Sequence, residues 1–158
     1  MLQRIQTVFL LLVALMMLLT LFFPFWTYQA EGSTEYYGLF AFYYEYFDTE
    51  VNETVRTFFP FTFIATLVVA SITVALIEVT KYKNRLLQIK LGALNSLFIA
   101  GALILAAYFA TDFVKSQGIN GKYGIAFFLP AAALLFNLLA NRYIRKDERL
   151  VKSVDRIR

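Results

Sequence analysis

The chain has 158 residues, of which 59% are hydrophobic and 18% aromatic, and its net charge is +4 at pH 7. This composition is far from that of a soluble domain and indicates a protein embedded in lipid. Cysteine and histidine are both absent, which excludes disulfides, thiolate nucleophiles, Ser-His-Asp machinery, Cys/His zinc sites and histidine-ligated haem. We therefore predict no catalytic residue, no cofactor and no metal site, and we expect a protein that is not an enzyme.

Charged residues fall in islands that separate four uncharged stretches, and the first of these, Ile5 to Ala30, is the longest. Each stretch is long enough to cross a bilayer as a helix, which takes about 20 residues. Runs such as Val8 to Leu21 are apolar on every side, unlike the alternating strands of a membrane barrel. We predict a single all-α membrane domain over residues 1–158, a four-transmembrane-helix bundle with spans at about residues 6–26, 57–79, 88–111 and 123–143.

The positively charged residues indicate how these spans are oriented. Of the 15 Lys and Arg residues, only Arg56, Lys115 and Lys122 lie in the connections that follow spans one and three. The others precede span one, lie around the loop 80–87 or follow span four, and the positive-inside rule places such segments in the cytoplasm. We therefore predict a multi-pass protein of a bacterial inner membrane with both termini in the cytoplasm. Because the basic residues follow the sidedness of the membrane, we expect no nucleic-acid partner.

The loop between spans one and two, residues 27–56, is acidic and rich in aromatic residues. Aromatic residues alternate with period two, as in a strand, at Phe40, Phe42, Tyr44 and Tyr46. Because Glu31-Gly32-Ser33 has the composition of a turn, we predict a small β-hairpin over the outer mouth of the bundle. The alternatives are an aromatic belt at the membrane interface and a ligand or partner site in this loop.

Small and polar residues inside the predicted spans indicate how the helices contact each other. In span three, Gly92, Ser96 and Ala100 recur at spacing four, which lets helix backbones approach closely in lipid. Asn95 and Asn137 are amides at membrane depth, and such amides usually form hydrogen bonds across helices. These five residues are the predicted packing face. The alternatives are a partner helix on the same face and a transport pathway through the two amides.

Glu78 is the carboxylate nearest to a predicted span. An ionisable group inside a membrane is a candidate functional site, but Glu78 lies one turn before Lys81 at the predicted inner interface. We therefore expect a solvated ion pair at the end of the helix, with a functional carboxylate as the alternative.

Basic residues at the predicted cytoplasmic face form a candidate interaction patch. Spans two, three and four return their inner ends to the same plane, so side chains from the loop and the tail should lie together. The predicted patch comprises Lys83, Arg85, Gln88, Lys90, Arg142, Arg145, Arg149 and Arg156. Residues 144–158 carry apolar residues at helical spacing and are predicted to form an amphipathic tail. Anionic lipid and a cytoplasmic protein are both candidate ligands of this tail.

Three segments together carry a resemblance: Met1 to Thr7, Lys83 to Lys90, and the tail from Asn141 to Arg158. They are similar to the Bacteroidota membrane family known as domain of unknown function 4293, and the resemblance covers essentially the whole chain. It implies a four-helix inner-membrane protein of a Gram-negative bacterium. It implies no activity, so no catalytic residue is carried over.

These patterns together predict a non-enzymatic accessory or structural subunit of a membrane protein assembly. Its expected partners are the lipid bilayer and either a membrane protein or further copies of the chain. A small oligomeric transporter or channel subunit is the alternative. A hydrated path through Asn95, Asn137 and Glu78 would distinguish that alternative.

Overall fold

The computed structural model describes residues 2–29, 35–48, 52–118 and 120–155. The elements follow in the order α1 (Leu2–Thr20), β1 (Trp26–Gln29), β2 (Tyr36–Leu39), β3 (Tyr44–Asp48), β4 (Glu53–Thr57), α2 (Thr62–Thr80), α3 (Arg85–Gln117), β5 (Lys122–Tyr123) and α4 (Ile125–Asp155). Each helix packs chiefly against two neighbours, in the cyclic order α1, α2, α3, α4.

The limits of the long helices follow local sequence signals. α3 begins after Asn84, whose side-chain Oδ1 accepts a hydrogen bond from the Leu87 N–H (3.0 Å), as helix N-caps do. After its last residue, Gly118 adopts the left-handed conformation with φ of 65°, which a residue without a side chain reaches at little cost. α4 continues without a break to Asp155, so the described part of the predicted amphipathic tail is continuous with the fourth helix.

The α1–α2 connection and the α3–α4 connection together form one antiparallel sheet. Its strand order is β4-β3-β2-β1-β5, so four strands come from the first connection and one edge strand comes from the second. In β1, Trp26 is paired with Leu39 on one side and with Tyr123 on the other. The sheet therefore ties the two connections together at one end of the helices.

Aromatic rings hold this sheet on the ends of α2 and α3. The ring of Phe113, near the end of α3, stacks on Tyr44 with 4.1 Å between the ring centroids, and it lies 6.0 Å from Trp26. Phe61, just before α2, lies 5.7 Å from the same ring. Ring contacts of this kind stabilise a structure beyond their buried area, so the sheet and the helices share one core.

Two findings overturn the predicted all-α bundle of four transmembrane helices. The described residues contain a five-stranded sheet rather than a small hairpin. Among the same residues, only three helices are long and apolar enough to cross a membrane: Thr62–Thr80, Arg85–Lys115 and Ile125–Lys152. The apolar helix Ile5–Thr20 is shorter.

The predicted first span is too long because its last residues are not helical. Pro24 has no backbone N–H and disfavours a helical residue before it, and α1 ends at Thr20. The Phe25 N–H instead donates to the carbonyl oxygen of Leu39 (2.7 Å), and the side chains of Phe25 and Trp26 are buried. These large apolar residues therefore belong to the core between sheet and helices and not to a lipid-facing helix.

The predicted hairpin falls within a larger meander. Its predicted turn, residues 31–33, lies outside the described residues. The aromatic alternation covers both a turn and a strand, because the Phe40 N–H donates to the carbonyl oxygen of Tyr43 (2.9 Å) and β3 begins only at Tyr44. The polar β4 and the two-residue β5 have no comparable pattern, so the sequence does not indicate strands there.

The buried faces of the helices change character along the bundle. In the half nearer the sheet, most buried side chains are apolar, among them Val13, Met17, Ile64, Val68, Ala102, Ala106 and Ala133. In the other half, many are polar: Gln6, Ser71, Glu78, Gln88, Asn95, Asn137 and Asn141. This polar half contains the candidate functional site.

Candidate functional site: a polar interior and a basic cleft

One end of the bundle gathers most of the positive charge. Residues 81–84 join α2 to α3 there, and Arg85 at the start of α3 forms an ion pair with Asp147 of α4, with 2.8 Å between Arg85 Nε and Asp147 Oδ2. The C-terminal part of α4 therefore lies at the same end as the α2–α3 turn. We call this the basic end, and the opposite end the sheet end.

Amides and hydroxyls connect three helices inside the polar half. Ser71 Oγ of α2 donates a hydrogen bond to Asn95 Oδ1 of α3 (2.6 Å). Asn137 Nδ2 of α4 donates to the carbonyl oxygen of Gly92 (2.8 Å) and to Ser96 Oγ (2.9 Å). Interhelical hydrogen bonds of this kind contribute about 0.6–2 kcal/mol each in a membrane. The structure thus places four of the five predicted packing residues in two groups of interhelical hydrogen bonds, one between α2 and α3 and one between α3 and α4.

Gly92 permits a close approach between α3 and α4. A Cβ atom at this position would overlap the side-chain amide of Asn141, so a larger residue would push the helices apart. Ala100, the remaining predicted packing residue, is only partly buried. The buried small residues farther along α3 are Ala102, Ala106 and Ala110, which also recur at spacing four but do not continue the predicted series of Gly92, Ser96 and Ala100.

Glu78 is buried inside the bundle rather than solvated at its end. Its side chain has no exposed surface, and neither carboxyl oxygen has a hydrogen-bond partner among the described residues. Lys81 is exposed and, within the described part of the chain, forms no ion pair with Glu78. The expectation of a solvated ion pair is therefore wrong, and a functional role for the buried carboxyl group stays a prediction.

Gln88 connects the start of α3 to this carboxyl-bearing turn of α2. Its Nε2 donates to the backbone oxygen of Glu78 (2.8 Å), which satisfies a carbonyl in the last turns of α2. Its Oε1 is buried and has no partner among the described residues, as is also true of Gln6 Oε1 and Asn141 Oδ1. The polar half of the core therefore contains more acceptor oxygens than donors that reach them.

The exposed members of the predicted basic patch fall into two groups. We call the first the turn group, which consists of exposed lysines at the α2–α3 turn and in the first turns of α3: Lys81, Lys83 and Lys90. We call the second the cleft group, which is exposed along α4: Arg142, Arg145, Lys146 and Arg149. Lys81 and Lys146 are additions to the predicted patch.

Three predicted patch residues belong to neither group. Gln88 is buried, so its side chain is not part of the surface. Arg85 is held by Asp147, and its side chain is 30% exposed. Arg156 lies outside the described residues.

A cleft of about 600 Å³ opens between α3 and α4 at the basic end. Ala93 and Leu138 give it an apolar wall, Ser96 and Asn141 contribute polar groups, and the four cations of the cleft group line the remainder. Positions 145, 146 and 149 lie three, four and seven residues after 142 and therefore share its helix face. The cleft therefore combines an apolar wall with concentrated positive charge.

The carboxylates closest in sequence to the cleft group pair with other residues. Asp147 pairs with Arg85, and Glu148 accepts from Lys152 with 3.1 Å between Oε1 and Nζ. Among the described residues, no member of the cleft group forms an ion pair. Its charge is consequently not neutralised within this part of the chain.

The sheet end carries a different kind of surface. Arg56 Nε pairs with Glu45 Oε2 across two strands (3.1 Å), and its guanidinium lies 5.0 Å from the centre of the Tyr43 ring. Burial raises the pKa of the Tyr44 hydroxyl, and the neighbouring tyrosines raise it further. Over the described residues, no group of three Asp or Glu side chains is placed to hold a metal ion.

The sequence indicates more of the polar interior than the predicted packing face includes. Gln6 stands on the same face of α1 as Leu10 and Val13, and Asn141 follows Asn137 by four residues. At this spacing, polar residues outside an apolar run continue its buried face. The pairing of Asp147 with Arg85 has no comparable signal, because it depends on how far α4 extends past α3.

Comparison with known families gives one match. The family described as a domain of unknown function, DUF4293, matches residues 2–157. No curated protein matches the chain. The family match includes all five strands, all four helices and the basic cleft, and its description names no activity for any of them.

Proposed function

The chain belongs to the DUF4293 family, and on that premise we propose that it is a multi-pass protein of a bacterial inner membrane that serves as a non-enzymatic accessory or structural subunit. The basic end faces the cytoplasm, because positively charged segments are retained on that side. The turn group docks on acidic side chains of a membrane protein partner.

The observation that carries this proposal is the unpaired positive charge of the turn group. Lys81, Lys83 and Lys90 are exposed, and within the described residues none of them has a carboxylate partner. Arg85, which lies between them, is paired with Asp147. Because the turn-group lysines take no part in ion pairs that hold the fold, they are available to a partner of opposite charge, where complementarity sets the rate and specificity of association.

The apolar surface of the helices supports insertion in a membrane. Large apolar side chains are strongly exposed on α3 and α4, with Leu97 at 69%, Ile104 at 67% and Leu135 at 64% of their full accessibility. Contiguous apolar surface of this kind is unfavourable in water and is typical of contact with lipid or a partner. The three long apolar helices are therefore the segments that we place in the bilayer.

Co-purification in mild detergent tests the docking proposal. We expect Lys83→Gln/Lys90→Gln to reduce recovery of the partner about two- to thirtyfold, since exposed ion pairs contribute about 0.2–1 kcal/mol each. Lys115→Gln/Lys122→Gln, which removes two exposed charges at the sheet end, is the matched control and should leave recovery unchanged. Equal recovery with the double variant and the wild type, at equal expression, would contradict docking through the turn group.

A second measurement tests the orientation. A reporter inserted in the α2–α3 turn, next to Lys83, should read as cytoplasmic, and one inserted in the α3–α4 connection, next to Asn120, should read as periplasmic. The opposite result would place the basic end outside the cell and remove the basis of the proposed partner site.

A small oligomeric transporter or channel subunit is the second candidate, and the buried Glu78 favours it. Ionisable groups buried within membrane helices often mark ion or proton pathways. In liposomes that contain the purified protein and a pH-sensitive dye, this candidate predicts a proton flux that Glu78→Gln abolishes. Absence of flux in the wild type, or equal flux in the variant, would count against it.

A further inference from the structure

We propose that the cleft between α3 and α4 binds the phosphate group of an anionic phospholipid, with part of an acyl chain of the same lipid against its apolar wall. The inference rests on the proposed membrane insertion. It adds a ligand that docking through the turn group does not require.

The cleft carries a concentration of positive charge that the described carboxylates do not neutralise. Each of the four cations of the cleft group has another cation three or four residues away on α4, an arrangement that destabilises a helix when nothing compensates it. Asp147 and Glu148 do not compensate it, because they pair with Arg85 and Lys152. A bound phosphate would provide the missing negative charge, and the guanidinium groups of Arg142 and Arg145 have the planar geometry that suits phosphate oxygens.

The apolar wall of the cleft continues beyond the cations as an exposed apolar strip. Ala93 and Leu138 line the cleft, and one turn farther toward the sheet end the same faces of α3 and α4 present Leu97 and Leu135, which are strongly exposed. This apolar strip leads directly away from the cations. A lipid has the same order of groups, with a charged head followed by acyl chains, whereas a free phosphate or an acidic peptide has no use for such a strip.

The cleft lies where the apolar part of α4 ends. The uncharged stretch of the fourth helix ends at Asn141, and the cleft group begins at the next residue, Arg142. Phospholipid phosphates lie where the apolar part of a membrane helix ends. Basic pockets between membrane helices at the cytoplasmic side are known to bind anionic head groups. The charge of the cleft, its apolar wall and its position along α4 therefore all favour an anionic phospholipid.

Native mass spectrometry of the purified full-length protein in detergent tests the proposal. With phosphatidylglycerol as the anionic lipid and phosphatidylcholine as the neutral one, the wild type should retain phosphatidylglycerol preferentially. Arg142→Gln/Arg145→Gln should bind it about 25-fold more weakly, because each basic residue beside an anionic lipid contributes about a factor of five. If this variant does not fold, Arg149→Gln alone should weaken binding about fivefold.

Two variants control for charge and for shape. Lys81→Gln/Lys83→Gln removes the same number of charges from the exposed α2–α3 turn, and binding should change by less than about twofold at physiological salt, where exposed charges are screened over about 8 Å. Ala93→Leu retains every charge but fills the apolar wall, so it should displace the lipid. Equal losses in the two charge-removing double variants, or unchanged binding in folded Ala93→Leu protein, would overturn the cleft assignment.

Inorganic phosphate distinguishes the two sources of the same chemical group. Under the proposal it should not compete with phosphatidylglycerol at equal concentration, because it has no acyl chain. Competition at equal concentration would assign the cleft to a soluble phosphate and overturn the lipid proposal. Partner docking is scored separately by co-purification with the turn-group variant, so failure of that proposal leaves the lipid measurement unaffected.

Discussion

The side-chain amide of Asn141 fills the space beside Gly92 in which a larger residue would place its first side-chain carbon. The carbonyl oxygen of the same glycine accepts hydrogen bonds from Asn137 Nδ2 and Ser96 Oγ. Gly92 therefore provides both the space that the Asn141 side chain occupies and the acceptor for the Asn137 amide.

We expect Gly92→Ala to destabilise the protein by about 1–3 kcal/mol, the usual cost of overpacking a core. The intrinsic preference of alanine for helices, about 0.5–1 kcal/mol, should not offset this. Thermal unfolding in detergent, followed by circular dichroism, measures the change. Gly101→Ala is the control, because its Cβ would meet only the end of the flexible Leu67 side chain at 3.2 Å. Equal stability of the two variants would contradict the prediction.

Glu78→Gln should be at least as stable as the wild type. The amide has the same size as the carboxyl group, adds donors in a region with unpartnered oxygens such as Gln88 Oε1, and avoids burying a group that carries charge when ionised. Glu78→Ala should instead lose about 1–3 kcal/mol, because it leaves a cavity. Thermal unfolding of both variants is the measurement, and a clear loss of stability in Glu78→Gln would indicate a bound cation or another partner for the carboxyl group.

The ion pair between Arg85 and Asp147 should contribute about 0.5–1.5 kcal/mol, since it is charge-assisted and only partly exposed. Arg85→Asp and Asp147→Arg should each lower the unfolding temperature, and the double exchange should restore most of the loss. Exchange of Glu148 and Lys152, whose ammonium-bearing side chain is 64% exposed, should have little effect. Additive losses in the Arg85 and Asp147 double variant would mean that the pair does not stabilise the fold.

Alkaline pH should loosen the sheet through Tyr44. Burial raises the pKa of this hydroxyl above its ordinary value of 10.0, so the fold favours the neutral form. The resulting stability is fully present below pH 10 and is lost as the pH rises toward the pKa of the folded state. Ultraviolet absorbance of tyrosinate and thermal unfolding should together show this loss, and Tyr44→Phe should be less sensitive to pH above 10. Equal sensitivity of wild type and variant would assign the loss to other groups.

Much of the fold follows from the sequence because uncharged runs are a strong signal. Such runs identify the three helices that are able to span a membrane, and Gly118 and Asn84 mark where helices end and begin. The same signal fails at Phe25 and Trp26, since apolar side chains are equally suited to lipid and to a core beneath a sheet. Strands such as β5, with two residues, acquire their structure from pairing with β1, which no local pattern encodes.

The site is only partly predictable for a related reason. Asn95 and Asn137 stand out because they interrupt apolar runs, and both reach partners on other helices. Glu78 lies three residues before Lys81 near the end of an uncharged run, which suggests a solvated carboxylate, yet its side chain is buried within the bundle. Likewise, the division of the basic residues into a turn group and a cleft group depends on how α3 and α4 pack along each other. Sequence spacing within either helix does not predict that arrangement.

Pairing of Trp26 with Tyr123 has a consequence for the order in which the molecule can be assembled. The first strand of the sheet is synthesised early, but the strand that covers its edge follows α3 and is synthesised only after most of the chain. The Gly124 N–H, which donates to the Phe25 carbonyl oxygen at 2.9 Å, is synthesised equally late. During biosynthesis the nascent β1 edge is therefore open, and its closure coincides with delivery of the last helix.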